Sequence, residues 1–531
     1  MDRQMAELRE KGLIEPDIEK VEAHENRQAD RLNRSLSTRQ LQMMSLAGVI
    51  GTGLYLGTGQ SLAEGGPASL LLGYVINGAI VYLVMLALAE MAAYMPVAGS
   101  VCTFSGRFVD PALGFAITWN YWFKCALGVA TELVALQIVF EYWTDFPSWA
   151  IALIFWVFMI VLNIAHVKAF GEIEYWMSIL KIATIIVFII LGIVVNCGVN
   201  QNHQYLGFKY WGIGEAPFVN KFRGFVSVFL NSAFAYSGTE SVAISAGEAR
   251  NPARNMPKVA KAMFYRIIFF YVLTVLIIGI NIPYNYPNLS TGDTTTSPFT
   301  LVFEQAGSKV AGSFVNAVIV TSIISATNHS VYVAVRLFYT LGTDGYAPKF
   351  FAALTPQRVP WVGVVATGSV SGLCFGASFI GSGTLFAWLQ HIVGVCNQIC
   401  WVVIGITSIR FRKAIHVQNK DYQLNFRNWT YPWGPWIVVV IASVIVLIQG
   451  WTSFSPWNTS DFFSVYLELL VIPTMYVAWK LWFKTKIRIA SEIDLETDRY
   501  ISTNDDLAEM EYEDSFKGWR KAVYTLKTLF V

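Results

Sequence analysis

The chain has 531 residues, of which 54% are hydrophobic, 15% aromatic and only 14% charged, with a formal net charge of +2. So little charge excludes an ordinary water-soluble globular protein, and so small a net charge gives no footing for a nucleic-acid partner. The six cysteines fall in or beside apolar blocks without ligand spacing, so neither a disulfide framework, a metal centre nor any other cofactor is expected.

In chain order, residues 1–41 are polar and charged, and no short apolar core follows Met1 as a signal peptide requires. Apolar blocks then recur at 42–64, 69–95, 115–142, 148–167, 175–198, 224–248, 262–283, 305–338, 361–383, 385–408, 435–453 and 462–484. Each is long enough to supply the roughly 20 residues that a helix needs to cross a hydrocarbon core about 30 Å thick. The eighth block is long enough to bend, and the ninth and tenth nearly touch. The expected fold class is an all-α polytopic membrane protein with twelve transmembrane helices. Residues 485–531, rich in Glu and Asp, read as a second tail with some helix.

An even number of spans puts both ends on one side. Loops on that side hold thirteen Lys or Arg residues, including Arg107, Lys258, Lys349 and Arg412, against Lys209, Lys221 and Arg223 opposite. Both termini are therefore expected in the cytosol. The sequons at Asn288 and Asn458 then fall outside, and that at Asn428 inside.

Two spans are poor continuous helices. The first reads Gly48-Val49-Ile50-Gly51-Thr52-Gly53-Leu54, with three glycines and a threonine at mid-membrane; close helix packing is the alternative explanation of such spacing. The sixth reads Phe234-Ala235-Tyr236-Ser237-Gly238-Thr239-Glu240, a glycine among hydroxyls with a carboxyl deep in an apolar helix. Interrupted helices five spans apart are what inverted five-helix repeats place at a transport site, where freed backbone groups bind the substrate.

These segments resemble the fungal amino-acid permeases of the amino acid–polyamine–organocation superfamily. The resemblance is carried by Gly48 to Gly53, Gly238-Thr239-Glu240, Gly247 to Pro252 and Ala347-Pro348-Lys349, and also by Glu90-Met91-Ala92, Pro96 to Ser100 and Trp119-Asn120-Tyr121-Trp122. It spans about Ser37 to Lys484. It implies a 5+5 inverted repeat, with repeats over 42–198 and 199–408, two extra helices over 409–484, and amino-acid uptake driven by protons. Its partners are then an amino acid, protons, the bilayer and, at the tails, regulatory or trafficking factors; the expected location is the plasma membrane.

An α-amino acid brings a carboxylate and an ammonium that must both exchange water for fixed partners. Amides near Ile50, Gly51, Thr52 and Gly53 open an outer half-helix suited to the carboxylate. The carbonyls of Phe234, Ala235 and Tyr236 and the hydroxyls of Ser237 or Thr239 suit the ammonium, and Phe234 or Tyr236 is a candidate gate. Intramembrane charges mark function, so Glu240 is a candidate proton carrier, set against a structural hydrogen bond. The resemblance adds Lys181, matching a lysine that replaces a sodium ion in proton-coupled relatives, and Glu132, matching a family glutamate. Lys124 departs from the family, and at eight residues from Glu132, about 12 Å along a helix, it must find its partner elsewhere. Ser325, Asn328, Cys396 and Asn397 are the candidate specificity residues, while His166 and His391 sit near span ends and receive no role.

Loop segments such as Pro283 to Phe299 and Gly450 to Pro456 look most like the basic amino-acid branch, which implies lysine or arginine. A broad or neutral range stays open, as does a transport-inactive sensor of the same fold. A channel lacks its repeated pore motif here, and no nucleophile–base pair or metal cluster supports an enzyme.

Overall fold

The computed structural model describes residues 50–502, apart from 145, 166, 250, 288, 290–296, 308, 357–358 and 455, with a few positions between 515 and 523. The N-terminal tail, Gly48, His166, Arg250 and the sequon at Asn288 lie outside the described residues, as do the side chains of Lys168 and Glu248.

Every described span is helical. In chain order the helices are α1 (Thr52–Tyr55), α2 (Gly57–Tyr94), α3 (Val101–Phe108), α4 (Pro111–Phe140), α5 (Ser148–Ala165), α6 (Val167–Asn196) and α7 (Lys221–Ala235). There follow α8 (Pro252–Asn281), α9 (Pro298–Gln305), α10 (Lys309–Thr343), α11 (Trp361–Ile380), α12 (Ser382–Val417), α13 (Trp433–Ile448) and α14 (Thr459–Phe483). Eight helices are long and apolar enough to cross a membrane, and two shorter apolar ones, α5 and α13, join them. With α7 in the sixth block and the described half of the first, each of the twelve blocks holds helix among the described residues. α2, 38 residues and about 57 Å at 1.5 Å per residue, is two spans run together. Gly66, at a φ of 78° that side chains rarely adopt, turns the chain before Pro67 and separates the outer half of the first span from the second.

Ends deviate from the hydropathy reading where helices run past the apolar zone. The seventh span was expected from residue 262, yet α8 starts at Pro252, where Asn251 caps it by accepting from the Arg254 N–H at 3.2 Å and proline occupies the first turn. The eighth block, 305–338, is one long helix, α10, which runs past it to Thr343, and the short α9 precedes it. α11 and α12 meet at Gly381, φ 90°. Asn458, read as a glycosylation acceptor, caps α14, accepting from the Ser460 and Asp461 N–H groups at 3.1 and 3.3 Å.

Apolar side chains face outward along the bundle, as in Ile190, Leu447 and Leu481, a surface that only lipid satisfies. Inside, α4 is the hub: α10 and α12 pack along it, while α7 lies along α2. This hub puts the third, eighth and tenth spans around the two breaks.

Residues 485–531 were expected as a tail with some helix; the stretch 485–502 is non-helical and runs across one end of the bundle, while Trp519, Arg520 and Val523 are helical among the described residues beyond it. Arg488 N–H donates to the Val109 carbonyl at 2.8 Å, Tyr500 N–H to Tyr94 at 2.9 Å, and Gln418 donates to the Ala490 and Ile493 carbonyls at 3.1 and 2.8 Å. Ile493 and Leu495 are buried beneath the strap, and Arg107 pairs with Asp498 at 2.8 Å.

Asp110 knots this end together. It caps α4 by accepting from the Ala112 N–H at 2.9 Å, and also takes Thr485 at 2.9 Å, Tyr476 at 3.2 Å and the Lys480 ammonium. Burial works against its charge, but Lys480 and the other donors outweigh it and hold the carboxyl below the ordinary carboxylate range. A lowered folded-state value stabilises the protein above the unfolded value, about 3.9, and that stabilisation is lost as pH falls further. Thermal unfolding in detergent should show Asp110→Ala destabilised by about 1–3 kcal/mol for the lost cap and buried contacts. The deficit should be constant from mildly acidic to neutral pH and shrink only below the carboxylate range.

Candidate substrate site at the two helix breaks

In the first span the described residues open on non-helical backbone at Ile50 and Gly51, the latter extended (φ −142°, ψ −159°), and helix starts at Thr52. The sixth is broken after α7: the chain turns through Tyr236 to Gly238, whose φ of 94° favours glycine, then continues as 3₁₀ turns over Glu240–Ala243 and Ser245–Glu248. The breaks touch. A Cβ on Gly53 would stand 2.6 Å from Ala235 Cα and 2.9 Å from both Ala235 N and Phe234 Cδ1. Only glycine allows two backbones to approach so closely.

Three tyrosines pack together, and two of them hold carbonyls at the breaks. Tyr74 donates to Gly53 O at 3.3 Å, Tyr271 to Ala235 O at 2.9 Å, and Tyr236 to Tyr74 O at 2.9 Å. Tyr236 is thus anchored in the packed core behind the break and does not line the cavity, contrary to its reading as a gate; Phe234 does line it. The carbonyls expected to take an ammonium each already accept one bond: Phe234 O from Ser237 N–H at 2.9 Å, Ala235 O from Tyr271, and Tyr236 O from the Thr239 hydroxyl at 3.1 Å.

Beside the breaks lies a small cavity of about 50 Å³, room for a few waters. Gly51, Gly53, Phe234, Ala235, Ser237, Gly238 and Glu132 line it, all expected from the sequence. Ile50, Thr52, Thr239, Glu240 and Asn397 stand behind this wall, buried. Ser325, Asn328, Cys396 and Lys181 do not line it. Ser325 donates to Glu174 at 2.6 Å, Asn328 accepts from Asn163 at 3.0 Å, and the Cys396 carbonyl accepts from Asn120 at 3.3 Å. The first three are occupied in helix packing outside the pocket wall.

Sequence reading missed the rest of the lining. Tyr121, Lys124, Cys125 and Gly128 share a face of α4 with Glu132, and Ala326, His329, Ser330 and Val333 share a face of α10. Their spacings of three, four and seven residues mark one helical face each, a signal available in the sequence once a single member is known. Ser241 and His329 Nε2 are 2.7 Å apart and close the wall between the sixth and eighth spans.

The partner that Lys124 lacked is Glu240, 2.5 Å from its ammonium, both side chains buried. The pair is saturated: Lys124 also donates to Asn397 at 2.5 Å, while Glu240 takes Tyr121 at 3.0 Å and Thr239 at 3.1 Å. Asn397 in turn donates to Ala233 O at 3.2 Å, tying the pair to the end of α7. Glu132 differs. One of its oxygens accepts from the Thr52 hydroxyl at 3.0 Å and lies 3.0 Å from where a Gly51 Cβ would be; the other, buried, has no hydrogen-bond partner among the described residues. Lys181, buried in α6, lies within the electrostatic reach of Glu132 and Glu174.

An amino-acid permease family model matches residues 40–491. The chain is 43% identical to a probable amino-acid permease of Schizosaccharomyces pombe, over 89% of this chain and 96% of that one. It is 39% identical to the lysine-specific permease LysP of Escherichia coli, over 85% and 93%, and 37% identical to the general amino-acid permease GAP2 of Candida albicans, over 88% and 82%. Helix in all twelve apolar blocks, with Gly53 of the first against Ala235 of the sixth beside a buried charged cavity, thus coincides with likeness along nearly the whole chain, and the protein belongs to the amino-acid permease family of the amino acid–polyamine–organocation superfamily, a transporter and not an enzyme.

Proposed function

We propose that the protein is a proton-coupled amino-acid symporter that imports basic amino acids, lysine first, across the plasma membrane with both termini in the cytosol. The observation that carries the coupling is the placement of Glu132. Its carboxylate sits at the opening of α1, where the break offers a positive helix end to a substrate carboxylate. Two carboxylates cannot share that place, but a protonated Glu132 can sit beside a substrate carboxylate and donate to it. Proton and amino acid then enter together, and neither is held well alone. Lys181 is the second protonatable group of this reading, placed to respond to the charge on Glu132. Glu240 supports the other role weighed for it: with an ammonium and two hydroxyls on its oxygens, it is a fixed counter-charge to Lys124 that braces the third span against the sixth.

The lysine reading is supported by the bacterial relative's name and by the loop resemblance. A broader range is the second reading, favoured by the general permease among the relatives and by Lys124, whose ammonium lines the cavity and does not itself attract a cationic side chain.

In cells lacking their own permeases, labelled lysine uptake should rise as external pH is lowered, because the proton is a co-substrate. Glu132→Gln should abolish that pH dependence and concentrative uptake. Uptake indifferent to pH in the unaltered protein rejects proton symport, and competition by neutral amino acids as strong as by arginine selects the broader range. Gly53→Ala, which drives a methyl into the Ala235 backbone, should reach the membrane yet lose transport; normal uptake would show that the breaks need not touch. Lys124→Met and Glu240→Gln should each destabilise the purified protein by about 3–5 kcal/mol, leaving one buried group uncompensated, while the double variant regains most of it. A double variant as unstable as the sum of the singles contradicts the fixed-pair role.

A further inference from the structure

Glu174 is a buried carboxyl that the site does not use. It lies in α6 seven residues before Lys181, on the same face and about 10 Å nearer the start of the helix. Its side chain is fully buried. One oxygen accepts from Ser325 in α10 at 2.6 Å, and the other has no hydrogen-bond partner among the described residues. Lys181, seven residues further along the same face, is within electrostatic reach of both Glu174 and Glu132, which links the carboxyl at the site to a second one farther in. The remaining groups that face this line are His329 from α10, whose Nε2 is engaged with Ser241, and the uncharged Asn328, which takes Asn163 from α5. Asn163 stands two residues from the end of α5, at the side of the bundle where the fifth span begins. The three ionisable groups thus descend from the cavity toward the side assigned to the cytosol.

The contrast with Glu240 is informative. Glu240 carries an ammonium and two hydroxyls on its oxygens, whereas leaving one buried oxygen empty costs about 1–3 kcal/mol; Glu90 also leaves one empty, but its other oxygen is paired with Arg412 at 3.2 Å. Glu132 and Glu174 both leave one empty, and both flank Lys181.

We propose that Glu174 is the inner proton acceptor of the transport cycle, taking the coupling proton from Lys181 and releasing it to the cytosol. This rests on the proton-symport reading and extends it inward. In the step an N–H bond of the Lys181 ammonium breaks and an O–H bond forms on the free oxygen of Glu174 by way of bridging water, so that a cation and an anion become a neutral amine and a neutral acid. The acid then yields its proton to cytosolic water and returns to carboxylate. Lys181 regains its proton from Glu132, whose own comes from outside with the substrate. No net charge is created in the low-dielectric interior during the transfer between the two side chains.

The test uses purified full-length protein in proteoliposomes with an internal pH dye and labelled lysine. Three readouts are compared for the unaltered protein, Glu174→Gln and Glu174→Asp: lysine counterflow at equal pH, accumulation driven by a pH gradient, and the proton flux that accompanies lysine. Glu174→Gln should keep counterflow, which needs no proton release, while gradient-driven accumulation falls to equality inside and out and lysine-dependent proton flux disappears. Glu174→Asp should recover part of both. Normal accumulation and proton flux in Glu174→Gln overturn the proposal. So does loss of counterflow in Glu174→Gln and Glu174→Asp alike, since that marks a structural role. If the unaltered protein itself moves no protons with lysine, the symport reading fails and this inference falls with it, an outcome distinguishable from failure of Glu174 alone.

Discussion

Everything at the centre of this protein depends on two backbones lying against each other where a side chain has no room. Gly53 meets Ala235 at a distance that a methyl group cannot share. Because the first and sixth spans approach this closely, neither can be a continuous helix with ordinary side chains there, and the unpaired backbone groups that result must be satisfied inside the protein. Tyr74 and Tyr271 satisfy two of the freed carbonyls, and the rest of the opened turn borders the cavity. Glycine thus has opposite effects on one residue's surroundings, weakening the helix and permitting the contact that makes a binding site possible.

Around this contact the intramembrane charges divide into two kinds. Lys124 and Glu240 neutralise each other and are further bonded to Tyr121, Thr239 and Asn397. Such a pair gains little net stability over apolar packing, and its value is that of a register pin joining the third, sixth and tenth spans in one arrangement. Glu132 and Glu174 instead each keep a buried oxygen without a partner, with the Lys181 ammonium in reach of both. Unfilled capacity of that sort is expensive to maintain and useful for holding a proton briefly, and it runs in a line away from the cavity.

Sequence legibility followed the range over which each signal acts. Span positions were readable because bilayer thickness sets a run length, and the breaks because Gly51, Gly53 and Gly238 are wrong for a continuous helix at mid-membrane. Helix ends were less readable, since α8 begins ten residues before its apolar run, under the control of the Asn251 cap and Pro252. Pairings between distant positions were not readable at all: nothing near Lys124 points to Glu240, which is 116 residues away, or near Ser241 to His329, 88 away. Ser325, Asn328 and Cys396 have the polarity of pocket residues, but helix rotation turns them to Glu174, Asn163 and Glu468. The strap over 485–502 lacks any periodic signal, because its order comes from backbone bonds to the bundle end and from Asp110.

A structure of the protein with bound lysine tests the central claim most directly. The account predicts the substrate's α-carboxylate at the opening of α1, within hydrogen-bond distance of backbone N–H groups at Thr52 or Gly53 and of a protonated Glu132, with Gly53 still against Ala235. Lysine bound away from the two breaks, or a first span that closes into an unbroken helix through Gly51 when the substrate arrives, would contradict it.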